Sequence, residues 1–107
     1  MQIIPIRAIP AQSLQVVLDG QECTITLFWR WGHLYMDLLV GTEIICRGAV
    51  CRNGAAIVQA ASADFSGSLH FWDTRGKQKE PGYKELGERF ILVYMSAGEA
   101  LPDALKY

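Results

Sequence analysis

The feature that most restricts the fold of this chain is a regular alternation of apolar and polar residues, broken by turn residues about every 8 to 12 positions. Apolar residues occupy every second position in segments 14–18 and 23–29, and Asp19 and Gly20 lie between them. A strand places successive side chains on opposite faces, and both turn residues tolerate the positive φ of a tight hairpin. The two segments are therefore predicted to form a β-hairpin with one apolar face.

Turn residues divide the middle of the chain into further strands. Turns are predicted at 31–33, at Gly41 and Thr42, and at Asn53 and Gly54, because these residue types favour turn conformations. The predicted strands are 34–40, 43–50, 55–58 and 69–73, and the small, polar segment 59–68 is predicted to be a loop. Since no amphipathic segment of helical length separates the strands, an antiparallel arrangement is expected.

The last predicted strand consists of six consecutive apolar residues, Phe90 to Met95. The run is too short to span a membrane and has no helical stripe, so it is predicted to be a strand covered on both faces. A charged knuckle, defined here as residues 83–89, comes directly before it. A single helical turn ended by Gly87 is predicted in the knuckle.

These elements predict an all-β fold: a small antiparallel β-barrel or sandwich of about seven or eight strands with one short helical turn. The 107 residues are expected to form a single domain, 1–107, that buries roughly two-thirds of the surface of the unfolded chain. Residues 96–107 contain too little apolar surface to fold alone. We therefore expect this tail to be mobile or docked on a partner.

The charge balance argues against binding to nucleic acid or to a membrane. The chain has 10 Lys and Arg against 11 Asp and Glu, and its net charge of -1 gives no general attraction for phosphate polymers or anionic lipid. The first twenty residues carry one cation, Arg7, and are interrupted by Pro5 and Pro10, unlike a signal peptide. Synthesis in a cytoplasm, without membrane targeting, is expected.

The cysteine pattern argues against a metal or disulfide framework. Cys23, Cys46 and Cys51 are odd in number, form no C-x-x-C pair and do not adjoin a histidine. An unpaired cysteine usually behaves as a small core residue, so three free and largely buried thiols are expected. No cofactor is expected either, because the sequence contains no Gly-rich phosphate loop and no metal-binding helix motif.

Catalysis is not expected. On the predicted strands His70 and Asp73 are the only candidate base and carboxylate close together, and residues three apart on a strand point to opposite faces. His33 falls in a predicted turn. Because a catalytic triad is defined by geometry, a solvent-facing or hydrogen-bonded role for both histidines is the preferred interpretation.

The aromatic residues allow two interpretations. They could form a stacking platform for single-stranded nucleic acid, but such a platform needs a cationic groove, and nearby acids offset Arg30 and the basic turn at 75–79. Core packing, with Trp31 or Trp72 partly exposed at a protein interface, is the alternative. The aromatic residues concerned are Phe28, Trp29, Trp31, Tyr35, Phe71 and Trp72.

The charged knuckle also has two interpretations. It is either a solvated loop with weak local ion pairs, or a recognition surface bracketed by Tyr83 and Arg89, since Tyr and Arg often anchor protein interfaces. The candidate interface residues are Tyr83, Leu86, Arg89 and Trp72. If Arg89 belongs to an assembly surface, its replacement by Glu should leave the isolated domain folded.

Several blocks in the chain are similar to a known family. The segments "IPAQSLQVVLDGQECTITLFW", "LYMDL" and "SGSLHFWD", followed by a Pro-Gly-Tyr and "ELGERFILVYM", run from Ile9 to about Met95. This order resembles the baseplate plug family of contractile-tailed bacteriophages, whose members include a cyanophage baseplate plug. The initial Ile-Pro with Gln-Ser beyond it, and the Leu-Gly-Glu-Arg before the last strand, are the most specific pieces.

The resemblance implies a structural protein of the virion, made in the bacterial host cytoplasm. Such a subunit would plug or tighten the central hub of the tail baseplate at the junction of tube and spike. Its expected partners are hub, spike or tail-tube subunits, and self-association in a ring or trimer is expected. The alternative from the residues alone is a binding module, similar to an oligonucleotide-binding barrel, for single-stranded nucleic acid or a small ligand.

Overall fold

The computed structural model describes residues 2–52, 56–59, 67–77 and 81–96. Eight strands and one short helix are formed by these residues. The strands are β1 (Gln2–Ile4), β2 (Ala11–Leu18), β3 (Gln21–Arg30), β4 (His33–Val40), β5 (Glu43–Val50), β6 (Ala56–Gln59), β7 (Ser68–Asp73) and β8 (Phe90–Met95). A 3-10 helix, Tyr83–Glu85, lies between β7 and β8. The predicted all-β class, strand number and single helical turn are confirmed.

The strands form two four-stranded antiparallel sheets. One sheet has the order β1-β8-β7-β6, and the other has the sequential order β2-β3-β4-β5. Within the described residues the two sheets do not close into a barrel, so of the two predicted architectures the sandwich is the one formed. Strand β1 pairs with the last strand, β8, and not with its sequence neighbour β2, so backbone pairing between β1 and β2 does not join the two sheets.

The second sheet is built from three hairpins, and in two of them both turn residues have a positive φ. The predicted turn between β2 and β3 is confirmed, with φ of 50° at Asp19 and 76° at Gly20. The register pairs Leu14 with Ile25, so the apolar residues of both strands share one face. The predicted turn between β3 and β4 consists of Trp31 and Gly32 alone, with φ of 51° and 78°.

Other predicted turns fall partly outside the described residues. Gly41 and Thr42 join β4 to β5 as predicted. The predicted turn at residues 53 and 54 and most of the predicted loop 59–68 lie outside the described residues. The same holds for the predicted tail beyond Ser96, whose hydroxyl donates a hydrogen bond to Asp19 Oδ1 at 3.0 Å.

The core lies between the sheets and draws on both. Ile25 and Leu27 of β3 are buried in the same cluster as Leu92 and Tyr94 of β8. The prediction that the run 90–95 is covered on both faces is confirmed, because Val93, whose side chain points away from this cluster, is also buried. A hydrogen bond of 2.7 Å from the Tyr94 hydroxyl to Asp19 Oδ2 ties the two sheets together.

Leu92→Ala is expected to lower the free energy of unfolding by about 2 to 5 kcal/mol, because it removes a fully buried side chain and leaves a cavity. Chemical denaturation of the two proteins measures this change. The matched control is Ile44→Ala on β5, a residue that is largely exposed and should change stability by no more than about 0.5 kcal/mol. Equal losses in the two variants would show that β8 is not a core strand.

Candidate protein interface

The knuckle is a tight, internally bonded turn. The 3-10 helix Tyr83–Glu85 confirms the predicted helical turn, and Gly87 lies two residues beyond its end. Gly87 has φ of 83°, and a Cβ at this position would collide with the carbonyl oxygen of Ile6. Its N–H donates to the carbonyl oxygen of Phe90 at 2.8 Å. The backbone therefore requires glycine here for both its conformation and its close contact.

Arg89 points into the protein and binds Asp73. The Nε and Nη2 atoms of Arg89 donate to the two carboxylate oxygens of Asp73 at 2.8 and 2.9 Å. The Asp73 side chain is 0 % exposed and that of Arg89 is 9 % exposed. The Arg75 N–H also donates to Asp73 Oδ1, at 3.0 Å. The hydrogen bonds from Arg89 to Asp73, more than the Coulomb attraction, raise the pKa of Arg89.

The predicted interface residues do not form one surface. Leu86 is 1 % exposed and belongs to the core, because the turn after the 3-10 helix directs it inward beside Phe90. Tyr83 is half-buried and packs edge-on against Trp29, with ring centroids 5.5 Å apart. Trp72 is half-buried on β7. Tyr83 and Trp72 keep accessible area, and their interface role stays a prediction.

The aromatic residues of the platform interpretation are divided between the core and the end of the β3–β4 hairpin. Phe71 is fully buried, and Trp29 is half-buried against the core. Phe28 and Tyr35 lie on neighbouring strands of the second sheet and stack on each other, with centroids 5.6 Å apart. Trp31 is 81 % exposed at the end of the β3–β4 hairpin. These rings do not make the continuous platform that the nucleic-acid alternative requires.

The end of the β3–β4 hairpin carries a cluster that joins three of these aromatic residues and Arg30 to His33, which the platform interpretation did not include. We call it the aromatic tip; it consists of Phe28, Arg30, Trp31, His33 and Tyr35. The Arg30 guanidinium carbon lies 5.7 Å from the Phe28 ring centroid and 5.3 Å from that of Trp31. The His33 ring meets Tyr35 edge-on at 6.5 Å. The signal was available in the sequence: a two-residue turn at 31–32 places Arg30 opposite His33 and Phe28 opposite Tyr35.

The comparison with protein families decides what kind of protein carries this surface. A family model described as "Cyanophage baseplate Pam3 plug gp18" matches residues 1–97 of the 107-residue chain. The chain belongs to this family. A search of curated proteins finds no match. The family supports a structural role in a phage baseplate, which implies association with other baseplate components and a place in the virion tail.

The three cysteines of this plug-family chain lie inside or partly inside the fold. The prediction of free thiols is confirmed; Cys23 and Cys51 are buried, and Cys46 is half-buried. Burial raises the pKa of all three thiols, most strongly at Cys51.

His70 is buried and hydrogen-bonded to the Ser68 hydroxyl at 2.8 Å. Its cross-strand partner is Val93, whereas that of Asp73 is Phe90, so the two side chains point to opposite faces as predicted.

The described residues form neither a cluster suited to a metal ion nor a helix suited to a membrane. No group of three or more His, Cys, Asp or Glu side chains lies close enough there to hold a metal ion. In the same part of the chain, no helix is long and apolar enough to cross a membrane.

The Asp73–Arg89 pair reverses the expectation for Arg89→Glu. This substitution should lower the melting temperature, because it places a new carboxylate against the buried Asp73. The matched control is Lys84→Glu, an exposed residue of the same knuckle, which should change stability by no more than about 0.5 kcal/mol. Thermal unfolding of the isolated proteins measures both effects. Identical melting temperatures for Arg89→Glu and the wild type would contradict the structural role of Arg89.

Proposed function

We propose that this chain plugs or tightens the central hub of a contractile tail baseplate, at the junction of tube and spike. The observation that carries the proposal is the family match over residues 1–97, which covers both sheets of the sandwich. The proposed partners are hub, spike or tail-tube subunits. Its proposed location is the tail of the virion, after synthesis in the host cytoplasm. The work of such a subunit is to fill space and make contacts, so we propose no enzymatic activity.

The distribution of exposed apolar side chains supports an assembly role. Among the described residues, five large apolar side chains are exposed. Two of them, Ile3 on β1 and Val17 on β2, lie on strands that a hydrogen bond of 3.3 Å from Gln2 Nε2 to the Val17 carbonyl oxygen joins. Exposed apolar side chains on adjoining strands are typical of a surface that a partner covers.

The edges of the two sheets support the proposal that several copies associate in a ring or trimer. Three of the four edge strands are short or irregular: β1 has three residues, and both β5 and β6 show register shifts. Strand β2 pairs with β3 over eight residues in unbroken register and contains no charged residue and no proline. Between its contacts with Gln2 at Val17 and with Arg7 at Gln12, such an edge can add another strand. A neighbouring copy in a ring or trimer would supply that strand.

A tail-incorporation experiment tests the proposed function. A phage that lacks this gene is complemented with an epitope-tagged copy, and tails are purified and assayed for the tagged chain by immunoblot. We expect the chain to co-purify with tails in a fixed ratio to hub protein. The control is Thr42→Lys, a change in the exposed β4–β5 turn, which should leave incorporation unchanged. Recovery of wild-type chain only in the unassembled fraction would contradict a structural role in the baseplate.

A further inference from the structure

Trp31 combines an unfavourable backbone conformation with a largely exposed side chain. A positive φ is unfavourable for a bulky side chain, and Trp31 adopts 51° while 81 % of the residue is exposed. The turn at Asp19 and Gly20 has nearly the same φ angles and uses a residue type suited to them. The Asp19 carboxylate also binds Tyr94 and Ser96. A strained and exposed tryptophan therefore points to a function other than stability.

Arg30 places a positive charge at the tip, with N–H donors that a negatively charged group could accept from. Its guanidinium is placed over the rings of both Phe28 and Trp31. Within the part of the chain that the structure describes, Arg30 makes no ion pair and no side-chain hydrogen bond. The guanidinium is thus positioned by the rings while its N–H donors stay available. A carboxylate is the group that matches this arrangement in charge and geometry.

The rings beside Trp31 favour a protein partner over a nucleic acid. Phe28 and Tyr35 stack nearly parallel, at an interplanar angle of 21°, and His33 meets Tyr35 edge-on. Phe28 and Tyr35 are thus half-buried, whereas Trp31, the largest ring of the tip, projects into solvent. Binding of successive bases needs several open ring faces and a cationic groove, whereas a single Trp beside an Arg is typical of an interface hot spot.

We propose that Trp31 inserts into an apolar pocket of another baseplate protein and that Arg30 pairs with a carboxylate at the rim of this pocket. The identity of the partner as a baseplate protein rests on the proposed function; the chemistry of the contact rests on the tip itself. Tyr83 lies at the same end of the sandwich, because it packs on Trp29, two residues before Trp31. Because Trp29 alternates with Phe28 and Arg30 along β3, Tyr83 lies on the opposite face of the sheet from these two tip residues.

Trp31→Asn tests the proposal, because it separates binding from folding. Asparagine tolerates a positive φ, so the melting temperature of the variant should equal or exceed that of the wild type. Its recovery in purified tails should fall about tenfold or more, as expected for an interface hot spot. The matched control is Ile44→Thr, which removes another exposed apolar side chain, on β5, and should be recovered like the wild type.

Two substitutions of Arg30 test the rim carboxylate. Arg30→Lys keeps the positive charge and should be recovered in tails better than Arg30→Glu, which places two like charges together. Equal recovery of these two variants would contradict the proposed carboxylate.

Three other outcomes would overturn the proposal. If Trp31→Asn and wild type are recovered equally in tails, the tip proposal fails while the proposed function stands. If the wild type itself is absent from tails, the proposed function fails and the baseplate partner with it. The third outcome is measured by fluorescence anisotropy with a labelled single-stranded DNA. If the chain binds this DNA, if binding falls steeply with salt, and if Trp31→Asn abolishes it, the tip is a nucleic-acid site.

Discussion

The knuckle depends on one buried ion pair, between Asp73 at the end of β7 and Arg89 just before β8. Asp73 lies opposite Phe90 in the register of these strands, and its carboxylate is fully buried. A buried carboxylate is costly unless its oxygens are paired and hydrogen-bonded. The Arg89 fork and the Arg75 N–H meet this requirement. The pair explains why one charged residue, Arg89, stands directly before so apolar a strand.

The Asp73–Arg89 pair is followed by further packing contacts between the knuckle and strand β3. With Arg89 directed inward, the turn before it places Leu86 in the core and Tyr83 against Trp29. Trp29 belongs to β3, the strand that ends in the aromatic tip. The knuckle therefore packs against the end of β3 through the contact of Tyr83 with Trp29, two residues before the exposed Trp31. A projecting anchor binds more tightly when it is held in place before the partner arrives.

Much of the fold was predictable from the sequence because its signals are local. Alternation and a two-residue turn at Asp19 and Gly20 were enough to predict the first hairpin and its buried face. The choice between barrel and sandwich was not predictable, because it depends on the pairing of β1 with β8 at opposite ends of the chain. Arg89 was predicted to lie at a surface because its partner, Asp73, is sixteen residues away. The composition of the knuckle does not reveal that distant contact.

A cryo-electron microscopy reconstruction of the tail tests the central claim most directly, since it locates this sandwich relative to the hub. We predict density for the two four-stranded sheets on the tail axis at the junction of tube and spike, in several symmetry-related copies. The β3–β4 hairpin should contact a neighbouring subunit, and the Asp73–Arg89 pair should be enclosed within each copy. Density for the chain at another position in the tail, or a junction fully accounted for by other proteins, would contradict the proposed plug.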